Sequence, residues 1–328
     1  MIPTLAADAA LEECLRSLEA QTFHGFEVIV IDNSGKGLAR SSAAAGAVRV
    51  IENDANRGFG AAVNQGLQAS RAPFLATLND DAVAQPGWLE ALLRALEPRP
   101  EAGMCASQVR LAGKDLLDSA GMLISPDGSS KQRGHRRPCH LFCRLEDVLL
   151  PSASAALYLR AMLEEIGGFD EDFFLYSEDT DLGLRARWAG WRCLYAPGAV
   201  VDHRYSHSAG RASPLKAYYV ERNRLFLVVK NFPAADLLRT PFAALSRYWW
   251  HVASMRQGRG AAAEFHAEGN GAWRLALLVL QAHLALLENW GRLWKKRRHI
   301  RRIARISTAE FRRLLRMHAI SPREVAAL

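Results

Sequence analysis

The first half of the chain alternates between two hydrophobic periods. Leu11, Leu15 and Leu18 share one face at helical spacing, and the run EVIVI at 27–31 is a short β-branched strand closed by Asp32, Asn33, Ser34 and Gly35. The same signals recur as a strand at 48–51, a helix at 60–69, a strand at 74–78 ending on Asn79-Asp80-Asp81, and a helix at 88–96. This alternation predicts an α/β fold with a mainly parallel central sheet flanked by helices. In such sheets ligands bind beyond the carboxyl ends of strands, and Asp32 and Asp80-Asp81 stand at two such ends.

The second half changes character. Residues 125–138 (SPDGSSKQRGHRRP) form a polar, Gly- and Arg-rich stretch that reads as a mobile loop. Apolar character returns at 145–159, and 178–188 reads as a helix carrying Asp179, Asp181 and Arg185. From residue 212 onward the pattern is helical, and no internal repeat is visible.

Composition narrows this picture. A chain of 328 residues, 49 % hydrophobic, is large enough for one or two packed domains and excludes wholesale disorder. Its formal charge of +8 is uneven. From Gly291 to the end twelve Lys and Arg face only Glu310 and Glu324, so the rest of the chain is close to neutral. Such a tail attracts phosphate, on nucleic acid or on an anionic membrane surface. The apolar window 275–287 is too short, and too interrupted by Gln281 and His283, for a membrane span of about 20 residues. Trp273, Trp290 and Trp294 flank it and Lys295-Lys296-Arg297-Arg298 follows, which suits a helix lying on a membrane. A core helix with a solvated basic helix behind it is the alternative. Five cysteines without framework spacing, and an opening at Met1-Ile2-Pro3-Thr4 without a signal-peptide pattern, point to a reduced, cytoplasmic setting. Cys139-His140-x-x-Cys143 resembles half a zinc site, but no second pair follows.

Three clusters carry chemistry. Asp80 and Asp81 after an apolar strand form a hard-oxygen site for magnesium or manganese together with a diphosphate, or else an ordinary turn or helix cap. Ser177-Glu178-Asp179-Thr180-Asp181 follows the aromatic run Phe173, Phe174 and Tyr176, and apolar surroundings raise a carboxyl toward base-competent values. A helix N-terminus favours the same acids, with Ser177 as its cap. In the run 200–207, His203 matters if the fold returns it to the carboxylates. Tyr205 and the Gly/Ser-rich sequel argue against a helical zinc pair of His203 with His207.

In this order the motifs resemble the family 2 glycosyltransferases of the GT-A fold, especially the bacterial rhamnosyltransferase-like group. The matching runs are Ile2-Pro3-Thr4, LEECLRSLEAQ at 11–21, EVIVIDNSG at 27–35, NRGFGAAVNQG at 56–66, LNDDA at 78–82 and GGFDEDFFLYSEDTDLGLR at 167–185. VVDH at 200–203 and YVERNRLFLVVK at 219–230 complete the series, which covers about residues 1–235. The resemblance implies a GT-A domain at 1–235 and a helical, basic, membrane-associated region at 236–328. It implies that Thr4, Asp32, Asn33, Asn56, Arg57, Gly58, Asn64 and Asp80 bind the donor nucleotide, Gly58 by letting the backbone approach the ligand. Asp81 and His203 are the implied ligands of Mn2+ or Mg2+, Asp179 the base, and Phe173, Phe174, Tyr176 and Glu178 the acceptor side. Asn79 is left as a turn residue.

The implied reaction is inverting transfer of a sugar from a nucleotide-diphosphate donor, dTDP-rhamnose or a UDP-sugar. The acceptor is a saccharide or lipid-linked saccharide in cell-surface polysaccharide synthesis, met at the inner face of a bacterial plasma membrane. The sequence departs from the family pattern in its short first strand and in Ser154-Ala155, where a Gly-Ala pair is usual. The rival reading is a non-catalytic sugar-nucleotide or polysaccharide-binding protein, against which Asp81 and Asp179 argue. No nucleic-acid partner is expected, because the basic tail lacks interleaved aromatics beyond Trp294. Gly58-Phe59-Gly60 lacks the spacing of a dinucleotide turn.

Overall fold

A computed structural model describes residues 1–6, 8–41, 48–204, 213–258 and 260–328. Tyr205, Ser206 and His207 lie outside the described residues. The chain divides into two compact units, Met1–Met122 with Gln132–His207, and Leu123–Lys131 with Ser208–Leu328.

The elements run β1 (Ile2–Thr4), α1 (Ala9–Glu19), β2 (Ile29–Asp32), β3 (Arg49–Glu52), α2 (Phe59–Ala69), β4 (Phe74–Leu78), β5 (Ala82–Ala84), α3 (Trp88–Leu96), β6 (Ala102–Leu111) and β7 (Leu117–Ser119). They continue with β8 (Met122–Ile124), β9 (Ser130–Gln132), β10 (Glu146–Asp147), β11 (Ala155–Leu159), α4 (Arg160–Ile166), α5 (Glu178–Trp188) and β12 (Arg192–His203). Seven helices follow: α6 (Pro214–Asn231), α7 (Ala234–Leu237), α8 (Thr240–Arg256), α9 (Ala261–Ala267), α10 (Ala272–Ile303), α11 (Thr308–Met317) and α12 (Pro322–Ala327).

In the first unit β2 is buried along its whole length and pairs in parallel with β1 on one side and β3 on the other. An uninterrupted apolar strand suits that position, since both sheet faces are covered. The Met1 amine donates to Ala76 O at 2.8 Å and the Leu78 amide to Met1 O at 3.1 Å, which stitches β1 to β4. Beyond β4 the sheet is mixed: β11 runs antiparallel to both β4 and β6, while β12 is parallel to β6. α1 and α3 contribute Leu11, Leu15, Trp88 and Leu92 to a core that also holds Leu78 and Val201. Each such side chain contributes about 1.5–3 kcal/mol by leaving water.

β12 decides where the site forms. Its register with β6 shifts between Ala196 and Val200, across Pro197 and Gly198, so the strand pairs again further on. There it meets β5 antiparallel, with His203 opposite Ala82. That pairing brings His203 to the residue just before Ala82, which is Asp81.

In the second unit α6 starts on a Ser213 cap that accepts from the Lys216 amide, with Pro214 at its first turn. The compact division falls ahead of α6, which packs against α10. One expectation changes here: the stretch 125–138 is structured rather than a free loop. Asp127 is fully buried and lies 2.6 Å from Arg247 of α8, and its carbonyl accepts from Arg224 of α6 at 2.7 Å. Glu221 completes the cluster, 2.5 Å from Arg224 and 2.7 Å from Arg247. Interlocking charge pairs hold the hairpin segment between β8 and β9 within this unit.

Candidate active site

Asp81 is buried, with one carboxylate oxygen 3.1 Å from His203 Nε2. The other ring nitrogen, Nδ1, donates to Asp118 at 2.9 Å, and His135 Nδ1 lies 3.2 Å from the second Asp118 oxygen. Burial alone would push His203 toward neutrality, but the hydrogen bonds to Asp118 and Asp81 outweigh it and hold its pKa up at about 10. Burial likewise works to raise the Asp118 carboxyl, and the two histidines hold it low. Asp80 beside them is pushed up to about 6, first by burial, with Asp81 adding to the shift and Thr4 opposing it.

Asp118 escaped the sequence reading, although a lone carboxylate in the run LLDSA at 116–120 signals a buried charge that needs a partner. Asn79 was undervalued: its side-chain amide lies 3.2 Å from His203 Nε2, so it is more than a turn residue.

The donor set suits a divalent cation. In octahedral coordination with bonds of about 2.1 Å, neighbouring donors sit about 3.0 Å apart, close to the 3.1 Å between Asp81 and His203. A histidine anchored through Nδ1 on a carboxylate presents Nε2 in the way metal-bound histidines do. No group of three His, Cys, Asp or Glu able to hold a metal occurs among the described residues. A cation bound here would have Asp81 and His203 as protein donors and would need its other donors from a ligand such as a diphosphate.

The second cluster is reached through a turn. Asp179 accepts from the Ala153 amide at 3.2 Å, and the Ser154 carbonyl accepts from the Asn79 amide at 2.8 Å. The turn at 152–154 thus links α5 to the end of β4. Asp179 also accepts from the Thr180 amide at 2.6 Å and the Thr180 hydroxyl at 3.2 Å. Glu178 is buried with one carboxylate oxygen that has no hydrogen bond. Burial, reinforced by Asp179, pushes Glu178 up to about 8, and burial raises Asp179 as well. Two adjacent carboxyls in a dry site retain a proton between them.

The backbone leading to Asp179 is strained. Phe174, Tyr176 and Ser177 all have positive φ, at 61°, 69° and 66°. Such residues cost about 1–3 kcal/mol each and persist where surroundings fix them. Asn64 does part of this work, donating to the Phe169 carbonyl at 2.9 Å and accepting from the Phe169 amide at 2.9 Å. The Phe59 amide donates to the Phe174 carbonyl at 2.9 Å. Arg185 holds the preceding turn, pairing with Asp181 at 2.8 Å and donating to the carbonyls of Ile166, Gly167 and Gly168.

Two expectations need correction. Phe173 is fully buried, so its ring belongs to the core and not to an acceptor wall, whereas Phe174 and Tyr176 are half-buried. Ser177 makes no side-chain cap bond, because its left-handed backbone turns it away from a capping geometry. Gly58 (φ 87°) also makes room for a protein neighbour: a Cβ there would lie 2.3 Å from the Phe174 carbonyl.

The remaining residues expected on the donor side lie at the end of β2, after β3 or on α2. Both Asp32 oxygens accept backbone amides, from Ser34 and Ala39 at 2.8 Å each, so it organises the turn after β2. Burial works to raise its carboxyl, but those amides keep it low. Asn33 donates to Gly58 O at 3.2 Å and accepts from Asn53 at 2.7 Å, while Asn56 accepts from the Gly58 amide at 2.8 Å. Asn56, Arg57, Asn64, Gln65, Glu171 and Phe174 line a cavity of about 640 Å³. Away from these clusters, Cys139 is buried and Cys143 exposed, both as free thiols.

Residues 1–167 match the sequence profile of glycosyl transferase family 2. The chain is 32 % identical over 236 residues to an N-acetylglucosaminyl-diphospho-decaprenol L-rhamnosyltransferase of Mycobacterium tuberculosis, covering 64 % of this chain and 77 % of that one. It is 26 % identical over 258 residues to a pre-mycofactocin glycosyltransferase of the same organism, covering 73 % and 52 %. Among solved structures, GalNAc-T7 crystallised with UDP, GalNAc and Mn2+ superposes with a TM-score of 0.56 at 15 % identity, over 69 % of this chain and 46 % of that chain. Staphylococcus aureus TarS gives 0.50 at 16 % identity, over 90 % and 54 %. The chain therefore spans about half the length of each of these two structures. With its GT-A fold, its helical C-terminal region and its rhamnosyltransferase-like relative, this chain belongs to glycosyl transferase family 2.

Proposed function

We propose that this glycosyltransferase inverts the anomeric centre as it moves a sugar from a nucleotide-diphosphate donor, dTDP-rhamnose or a UDP-sugar, to a saccharide or lipid-linked saccharide. The observation that carries the reading is the pairing of Asp81 with His203 at 3.1 Å, linked through the turn at 152–154 to a carboxylate held by three hydrogen bonds. The mycobacterial relative, named for rhamnosyl transfer to a lipid diphosphate, supports the choice of donor and acceptor.

In this mechanism Thr4, Asp32, Asn33, Asn56, Arg57, Gly58, Asn64 and Asp80 form the nucleotide side, some by contact and some by holding the loops in place. Asp81 and His203 would hold Mn2+ or Mg2+, which would supply positive charge against the diphosphate leaving group. Asp179 accepts the proton of the acceptor hydroxyl. The hydroxyl oxygen bonds to the anomeric carbon from the face opposite the diphosphate, and the bond to the diphosphate breaks with its electron pair. Phe174, Tyr176 and Glu178 border the acceptor. Membrane contact at the inner face of a bacterial plasma membrane brings the enzyme to its acceptor.

Transfer from dTDP-rhamnose and UDP-sugars to a lipid-diphosphate saccharide, with and without Mn2+, tests this. Asp179→Asn is expected to lower kcat about 10²–10⁴-fold while donor binding survives. Asp81→Ala is expected to abolish the Mn2+-dependent part of donor binding. Near-normal turnover in the first, or metal-independent donor affinity in the wild type, overturns the assignment.

A further inference from the structure

α10 buries one face and exposes the other. Ala282, Ala285, Leu293, Arg297 and Ile300 are buried, and at about 100° per residue they cluster on one side of the helix. Opposite them Trp273, Leu277, Leu280, Leu284 and Leu287 follow one another at spacings of four and three and are 42–72 % exposed. They lie within about 40° of a common direction over about 21 Å of helix.

The line does not stop there. Past Gly291 the same direction is taken by Lys295, Arg298 and Arg302, all exposed. Helical rotation sends some cations of α10 inward and others along the apolar line. Arg297 and Arg301 turn inward to the end of α6, donating to the carbonyls of Val229 at 2.8 Å, Asn231 at 3.0 Å and Phe232 at 2.9 Å. The outward three extend the apolar line. Glu288, the single acidic residue of α10, stands to one side of it.

Leaving large apolar side chains in water forgoes about 1.5–3 kcal/mol each, and a contiguous exposed set marks a surface that is covered in use. What covers it must be apolar along the first half of the helix and anionic along the second. A lipid surface has both layers within a few ångströms of each other. No helix among the described residues is long and apolar enough to cross a membrane, so contact is at the surface. On α8, Phe242, Leu245, Trp249 and Val252, with Leu238 just ahead of the helix, make a second exposed line, but no basic run continues it, which singles out α10.

We propose that this face of α10 seats the protein on a bilayer containing anionic lipid. Trp273 to Leu287 enter the acyl boundary while Lys295, Arg298 and Arg302 meet the headgroup phosphates. This rests on the membrane contact in the proposed function, yet lipid binding reads it without any transfer assay. Asp179→Asn must bind vesicles as the wild type does, whether or not the chemistry assigned to it holds.

The test is flotation of the full chain with vesicles of phosphatidylcholine alone and of phosphatidylcholine with phosphatidylglycerol, at low and high salt. Lys295→Ala/Arg298→Ala/Arg302→Ala is expected to weaken binding to the anionic vesicles roughly 100-fold, about fivefold per cation. Leu280→Gln/Leu284→Gln/Leu287→Gln is expected to abolish the binding that survives high salt, where charge is screened. Circular dichroism and the melting temperature report whether each variant is folded. Should the leucine triple fail to fold, Leu284→Gln alone is expected to lose about tenfold. Two results overturn the proposal: wild-type flotation by the folded variants, or a self-association of the wild type without vesicles that the leucine variant lacks, which makes a second copy the occupant.

Discussion

Glu178 and Asp179 are adjacent carboxyls with unequal partners. Asp179 accepts three hydrogen bonds, which stabilise its anion, while Glu178 keeps a buried oxygen with none. The proton they share therefore resides on Glu178, and Asp179 is the ionised partner that can act as a base. Glu178→Gln replaces one neutral side chain by another, so the step that ionises Asp179 is left in place. The acidic limb of the kcat/KM–pH profile is expected to stay where it is. A shift to lower pH shows that Glu178 is the ionised partner and Asp179 carries the proton instead. Asp118 is a positioning residue, since it reaches the proposed cation only through His203. Asp118→Asn leaves Asp81 and His203 in place but loosens the ring. Mn2+ affinity, read from the free-ion electron paramagnetic resonance signal, is expected to fall about 10–100-fold. Unchanged affinity removes Asp118 from the site. At this scale sequence was informative about residue types and less so about reasons. Gly58 was legible as a glycine with a job, but the Phe174 carbonyl it makes room for is distant in sequence, and no local pattern encodes that approach.

Helices and strands were the most legible level, because they are set by spacing over a few residues. The strand at 74–78 and the helices at 88–96 and 178–188 coincide with β4, α3 and α5. The segment 125–138 misled, since its buried Asp127 finds its partners on α6 and α8 in the folded chain. Asp127 with Arg224, Arg247 and Glu221 makes a buried network where a polar loop was expected. Breaking it is costly: Arg247→Met leaves buried carboxylates short of a partner and is expected to lower stability by about 3–5 kcal/mol in urea unfolding. Burial alone would raise the Asp127 and Glu221 carboxyls, yet the flanking arginines hold both low. A carboxyl whose folded pKa is depressed stabilises fully above its unfolded value of about 4 and loses that contribution as pH falls through the folded value. Thermal stability is thus expected to drop progressively below about pH 4, and Glu221→Gln should flatten that part of the curve.

At the scale of the molecule, the basic tail is partly structural. Arg297 and Arg301 satisfy carbonyls at the end of α6, and Arg312 pairs with Asp236 at 2.8 Å. Removing residues 272–328 takes away the helix that packs on α6, so the truncated chain is expected to melt at lower temperature and aggregate. A truncated chain with unchanged melting would show that α10 is dispensable to its unit. Sequence by itself determined the order of strands and helices, the acidic turns at strand ends and the family. Each of these depends on short-range spacing or on motif order, which are written directly into the chain. Only tertiary structure decided that His203 meets Asp81, that Asp118 stands behind it, that Phe173 is core, and that the outward cations of α10 extend its apolar line. The first depends on a strand register reset at Pro197 and Gly198, and the others on which side of an element is left uncovered. Both are set by long-range packing, which the local sequence does not carry.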